Sequence, residues 1–143
     1  MTESELLETI KDCNIILKSR EDAKAYLDKG TAESCLAAEY IGTDKEKIYL
    51  EKAVANLTTA IELKPDSALL QEAYRERGSA RSELELHADA VEDFTKAIEM
   101  TSDVHALTAL YISRACSYGE IGEEELSQKD MEKYDALVLV TRG

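Results

Sequence analysis

Tryptophan is absent from this chain, proline and phenylalanine occur once each, and glycine occurs six times in 143 residues. Sandwiches and barrels draw on aromatic residues and on turns rich in Gly and Pro, so this poverty argues for helices. No stretch approaches the ~18 apolar residues a membrane span needs. The N-terminus, MTESELLETIKD, is acidic and lacks the basic start and apolar run of a secretory leader, so a cytoplasmic protein is expected. Cysteine is sparse, at Cys13, Cys35 and Cys116 with no CxxC spacing. Such a set makes neither a disulfide framework nor a zinc site, and the three are expected to be reduced, packed, small apolar residues.

Positive charge is also in short supply. Seventeen basic residues face 30 acidic ones, for a net charge of −13, and residues 66–103 hold ten acids against four bases. Phosphate backbones and anionic membranes are repelled by such a surface, which excludes nucleic acid and membranes as expected partners. A basic or amphipathic protein segment is the complementary ligand, although acid also serves simple solubility. Catalytic sets are missing. There is no Gly-rich phosphate loop, no G-x-S-x-G and no H-E-x-x-H. His105 and Cys116 fall on one predicted helix, ~16 Å apart, too far for a direct bond. The acid run Glu123-Glu124-Glu125 lacks the turn-forming Asp and Gly of a calcium loop. The expectation is a protein with no enzymatic activity, no cofactor and no metal.

What the chain does have is internal repetition. AVANLTTAIEL at 53–63 returns as AVEDFTKAIEM at 90–100, an offset of 37 residues, and a weaker third copy, SQKDMEKYDAL, lies at 127–137. The preceding segments recur too. Tyr74, Arg77 and Gly78 align with Tyr111, Arg114 and Ala115, while AYLDKGTA at 25–32 supplies Tyr26 and Gly30 at an offset of 48. The 11 extra residues of that first unit are expected to lengthen both of its helices by about 5–6 residues each. Within each unit the apolar positions, such as Ala53, Leu57, Ala60 and Ile61, follow helical spacing. Small residues at Gly30, Gly78 and Ala115 permit close helix approach.

Start and stop signals divide the chain into seven helices at about 3–18, 20–42, 45–64, 67–85, 88–101, 104–120 and 123–139. Thr2 and Glu5 have capping-box spacing. Ser19, Thr43 or Asp44, Asp66, and Ser102 or Asp103 are the expected later caps. Pro65 stops the third helix. The chain is thus expected to be one domain: a capping helix at 1–19, an elongated first repeat at 20–65, a second at 66–102 and a third at 103–140. The first helix is read as the remnant of an eroded repeat that closes the stack. The alternative is a helix folded into the groove or swapped between protomers.

This pattern resembles the tetratricopeptide repeat. Tyr74, Gly78, Ala90, Phe94 and Ala97 stand at its signature positions in the second unit. Ala53, Leu57, Ala60 and Pro65 mark the first, and Tyr111, Ala115 and Tyr118 begin the third. The third unit departs from the family with Ser127, Met131 and Tyr134, and Ser102 stands where proline is usual. The resemblance implies an all-α, right-handed superhelix of antiparallel helix pairs, whose first helices line a concave face that holds a partner peptide or helix. By position that groove comprises Lys24, Leu27, Asp28 and Thr31, then Glu72, Arg75, Glu76, Ser79, Ser82 and Glu83, then Ala109, Ile112, Ser113 and Cys116. Three functions fit: a protein-interaction scaffold, a small acidic chaperone for one client, or a self-associating module, a homodimer through the apolar tail Leu137-Val138-Leu139-Val140. Members that hold chaperone C-termini use two Lys, two Asn and one Arg around the peptide carboxylate. The matching places here are Leu27, Thr31, Glu76, Ala109 and Ser113, none of which fits. A peptide ending in Glu-Glu-Val-Asp is therefore expected to show no heat of binding by titration calorimetry; micromolar affinity would show the alignment to be wrong.

Overall fold

The computed structural model describes residues 1–142. Seven α-helices succeed one another, and no strand occurs among the described residues: α1 (Glu3–Ser19), α2 (Ala23–Ala38), α3 (Asp44–Glu62), α4 (Ser67–Glu83), α5 (His87–Glu99), α6 (Val104–Glu120) and α7 (Glu124–Arg142). Each helix packs on the one before it and the one after it, which makes the chain an all-α helical-repeat solenoid.

The helix starts follow side-chain chemistry. The Thr2 hydroxyl accepts from the Glu5 amide while the Glu5 carboxylate accepts from the Thr2 amide, the reciprocal arrangement that the T-x-x-E spacing predicts. Asp66 accepts from the Leu69 amide and Asp103 from that of Ala106. The start of α2 differs from expectation. Ser19 does not cap it, because Ser19 belongs to the last turn of α1 and its hydroxyl donates to the Ile16 carbonyl. Asp22 takes the role, accepting from the Ala25 amide. The far end of α2 is at Ala38 rather than near Gly42, and residues 39–43 form a turn in which Gly42 sits at φ +83°.

The 11 extra residues of the first repeat are not shared equally by its helices. α2 has 16 residues and α4 has 17, whereas α3 has 19 and α5 only 13. The extension of α3, with the wider turn before it, brings Tyr49 beside Leu6, Ile10, Ala32 and Leu36. These residues form a separate small core that holds α1 against α2, and the Tyr40 hydroxyl donates to the Glu3 carboxylate near the same end. The extra length thus gives α1 a wall to pack on.

The repeat shows in the packing. A Cβ at Gly30 would lie 2.7 Å from Leu57 Cγ, and one at Gly78 would lie 2.8 Å from the Phe94 ring. Gly30 with Leu57 and Gly78 with Phe94 are therefore the same contact one repeat apart. Leu27, Ala53, Leu57 and Ala60 form one core cluster, and Ala90, Phe94, Ala97 and Leu110 the next. Tyr26 packs against the first and Tyr74 against the second.

A polar device repeats alongside this apolar one. Arg77 on α4 makes a two-pronged contact with Asp93 on α5, at 3.0 and 2.8 Å, and donates at 3.1 Å to the Thr58 hydroxyl on α3. Thirty-seven residues on, Arg114 on α6 contacts Asp130 on α7 twice at 2.7 Å and donates at 3.1 Å to Thr95 on α5. Each threonine passes its own proton to a carbonyl one turn back, Val54 or Val91, so its lone pair faces the arginine. Both aspartates are 2% exposed. Each guanidinium also lies over a repeat tyrosine, Arg77 over Tyr74 at 5.6 Å and Arg114 over Tyr111 at 5.7 Å. In the first repeat, Lys29 and Asn56 stand in place of Arg and Asp, and Asn56 donates to the buried Glu33 instead.

Removing one member of such a buried pair strands the other charge. Asp93→Ala leaves both Arg77 and Arg81 without their carboxylate, and is expected to cost about 3–5 kcal/mol in urea unfolding. Thr95→Val removes only a neutral acceptor, and is expected to cost about 1 kcal/mol.

Candidate partner-binding groove

The row of helices is not flat. α2 touches α4 and α4 touches α6, whereas α1, α3, α5 and α7 make no such contacts with one another. A stack held closer together on one side than on the other is concave on the close side, so α2, α4 and α6 line the inner face. α1 packs along α2, and of the later helices only α3 reaches their shared core, through Tyr49. It sits in the outer row with α3, α5 and α7 and does not fold into the concavity.

The residues assigned to the groove from sequence are all carried by α2, α4 and α6. Lys24 and Asp28, one turn apart on α2, pair at 2.8 Å. On α4, Arg75 reaches Glu76 at 3.4 Å and Glu72 at 4.0 Å. Ser79, Ser82, Glu83, Ser113 and Cys116 converge between α4 and α6 around a hollow of about 250 Å³ that touches Phe94. Ala109 is exposed, and Ile112 is half-buried. Leu27 is the correction. It is 3% exposed and belongs to the core between α2 and α3. The late start of α2 does not change its side. Leu27 follows Tyr26 directly and sits one turn before Gly30, on the stripe that meets α3.

Two cysteines also depart from expectation. Only Cys13 is buried; Cys35 and Cys116 are exposed, and all three are free thiols. Cys35 lies with Met1, Leu6, Thr9, Asp28, Thr31 and Ala32 around a smaller hollow of about 180 Å³ between α1 and α2. Its membership of this edge was missed in sequence. The spacing that signals it is its place one turn after Thr31. The Thr31 hydroxyl is buried with no hydrogen-bond partner.

The electrostatics of the face are uneven. Arg75 offsets part of the charge of Glu72 and Glu76. No ion pair among the described residues includes Glu83. Burial pushes the Glu83 carboxyl above the ordinary carboxylate range, and the neighbouring charges of Glu46 and Glu76 push it further. Glu76 is raised chiefly by burial, with Arg75 pulling the other way. Glu46, Glu83 and Glu85 share a further polar depression with Thr43 and Lys47.

Among the described residues, no group of three or more His, Cys, Asp or Glu is gathered as for a metal ion. No described helix is long and apolar enough to cross a membrane. No family model matches the chain, and no curated protein matches it.

Carboxylates raised in the folded state weaken it when they ionise. Their burial is tolerated at low pH and opposes folding as pH rises through the folded-state value. Glu83→Gln is therefore expected to be more stable than the parent at pH 7. That advantage should shrink as pH falls below the ordinary carboxylate range, read as the urea midpoint across a pH series.

Proposed function

We propose that this chain is a tetratricopeptide-type interaction module that captures a basic, amphipathic segment of a partner protein on the concave face of α2, α4 and α6. The observation that carries the reading is the curvature of the stack, with an acidic wall on its inner side. Glu72, Glu76 and Glu83 fall at i, i+4 and i+11 on α4, on one side of that helix. Ile112 and the hollow beside Phe94 offer apolar surface next to it. A lysine or arginine beside an apolar anchor would meet both. The tyrosine–glycine register, repeated from Tyr26 and Gly30 to Tyr74 and Gly78, supports the family resemblance.

The raised pKa values support the same reading. Glu83 weakens the folded chain at neutral pH and makes no ion pair among the described residues, although Lys47 lines the same depression. A cationic ligand would relieve that penalty, and acid kept at a cost to stability is a recurrent mark of binding surfaces.

A scaffold or adaptor is the role that follows from a groove of this kind. A chaperone devoted to one client uses the same surface, and the present geometry favours it only through the chain's acidity. The cytoplasm is the proposed location, and neither nucleic acid nor membrane is proposed as a ligand.

A lysine-rich amphipathic helical peptide serves as probe in titration calorimetry. Glu76→Lys with Glu83→Lys is expected to weaken its binding at least about tenfold, the scale of losing a pair of partly desolvated charge contacts. Affinity should also fall as pH is lowered and the two carboxyls take up protons. Unchanged affinity in the double variant would remove the groove from consideration as the binding surface.

A further inference from the structure

The two ends of the stack are finished differently. At the N-terminal end, a shallow furrow of about 630 Å³ runs along α1 and is lined by α1 alone, with Leu7, Ile10 and Leu17 as its apolar part and Lys11 and Lys18 as its charged part. Leu7 is 45% exposed and Ile15 58%. α3, α5 and α7 each pack on a helix that precedes them in their own pair, and α1 has no such partner. At the other end, α7 is 19 residues long against 13 for α5, and its last turns carry Leu139 and Val140 at 72% and 70% exposure. Before that tip, the places of Val54 and Val91, Thr58 and Thr95, and Ile61 and Ile98 are taken by Gln128, Glu132 and Asp135, all exposed. The outer side of α7 is thus polar and acidic up to an apolar tip.

We infer that these ends are complementary, and that α1 of one molecule docks antiparallel on the C-terminal half of α7 of a second copy. The segments Leu7–Lys18 and Glu132–Arg142 are each ~15–17 Å long at helical rise. Laid antiparallel, they set Leu7 and Ile10 against Val140 and Leu139, Lys11 against Asp135, Lys18 towards Glu132, and Arg142 towards Glu8. Apolar contact and charge agree in one register, and the helix dipoles oppose favourably. The occupant is chosen by charge. The lining of the α1 furrow carries two lysines and no acid, so a second such furrow offers it nothing opposite in sign, while the outer side of α7 offers the carboxylates of Glu132 and Asp135, its Lys133 lying over the Tyr111 ring. The contact joins unlike surfaces, so it leaves one free end on each partner and extends head to tail. The patch is short, so the association is weak and concentration-dependent.

Sedimentation equilibrium tests this with three proteins, run singly and, for the two variants, mixed. The parent chain should gain weight-average mass beyond a dimer as concentration rises towards ~1 mM, the affinity range of small contacts. Lys11→Glu with Lys18→Glu blocks the first end, and Leu139→Asp with Val140→Asp blocks the second. Each double variant alone should remain monomeric. An equimolar mixture should stop at a dimer of one of each, because one competent α7 then meets one competent α1. All four positions are exposed, and thermal melts verify that the variants fold. A dilution series of the parent by methyl NMR reads the contact without substitution: Leu7, Ile15, Leu139 and Val140 should shift while the buried Leu50 and Leu110 do not. A parent that stays monomeric overturns the proposal, as does self-association of either double variant alone or a dilution series in which only one end shifts.

Discussion

The stack depends on an arginine that holds three helices at once. Arg77 grips Asp93 on its own repeat's second helix and Thr58 on the previous repeat's second helix. Arg114 does the same with Asp130 and Thr95. Apolar packing alone would let neighbouring helix pairs slide or rotate, because burial is non-directional. A planar guanidinium with fixed donor directions does not permit that. Each staple sets the angle within one pair and the offset to the pair before it. A constant offset applied twice produces a constant curvature, and the curvature produces the concave face.

The staple also explains where the repeat changes character. In the first unit Lys29 and Asn56 cannot make the two-pronged contact, and Glu33 turns inward to meet Asn56. Burial raises the Glu33 carboxyl, so this junction is electrostatically poorer than the next two. The added length of α3 and the core around Leu6, Leu36 and Tyr49 compensate on the other side of α2. The Tyr40–Tyr49 stack, with ring centres 5.8 Å apart, stiffens that extension.

Much of this was legible in the amino-acid sequence because the fold reuses local rules. Capping spacing located the starts of α1, α4 and α6, and the single proline located the end of α3. The alignment of Gly30 with Gly78 predicts a close helix approach at both, and the structure finds one at each. Less legible were features that need two distant positions read together. Arg77 and Arg114 align, and so do Asp93 and Asp130, yet nothing local says that the aligned arginine reaches the aligned aspartate 16 residues on. The resemblance to the tetratricopeptide repeat puts Leu27 in the groove, but a leucine flanked by a recurring tyrosine and a close-contact glycine packs inward. Ser19 was an equally good cap on paper; Asp22 prevails because Ser19 is consumed by the end of α1. The even lengthening of two helices failed as well, since the extra residues went to α3 and the turn before it, where Tyr49 meets the small core between α1 and α2.

Where a chain obeys every local rule, function leaves its mark in the exceptions. Asp93 and Asp130 are paired with arginines, small residues sit where helices touch, and α1, α2, α4 and α6 begin on capping side chains. Three places break the pattern. Glu83 is an acid that makes no ion pair among the described residues and is set beside Glu46 and Glu76. Leu7 and Ile15 show apolar surface to water on α1, and Leu139 and Val140 do so on α7. None of these strengthens the isolated molecule, since each leaves either charge repulsion or hydrated apolar area. They also lie apart, one on the concave wall and two at opposite ends of the stack. A ligand on the wall and a second copy at the ends would therefore not compete for residues. The solenoid separates those duties because its core is built between consecutive helices, leaving both the curved face and the terminal faces free of any part in holding the fold together.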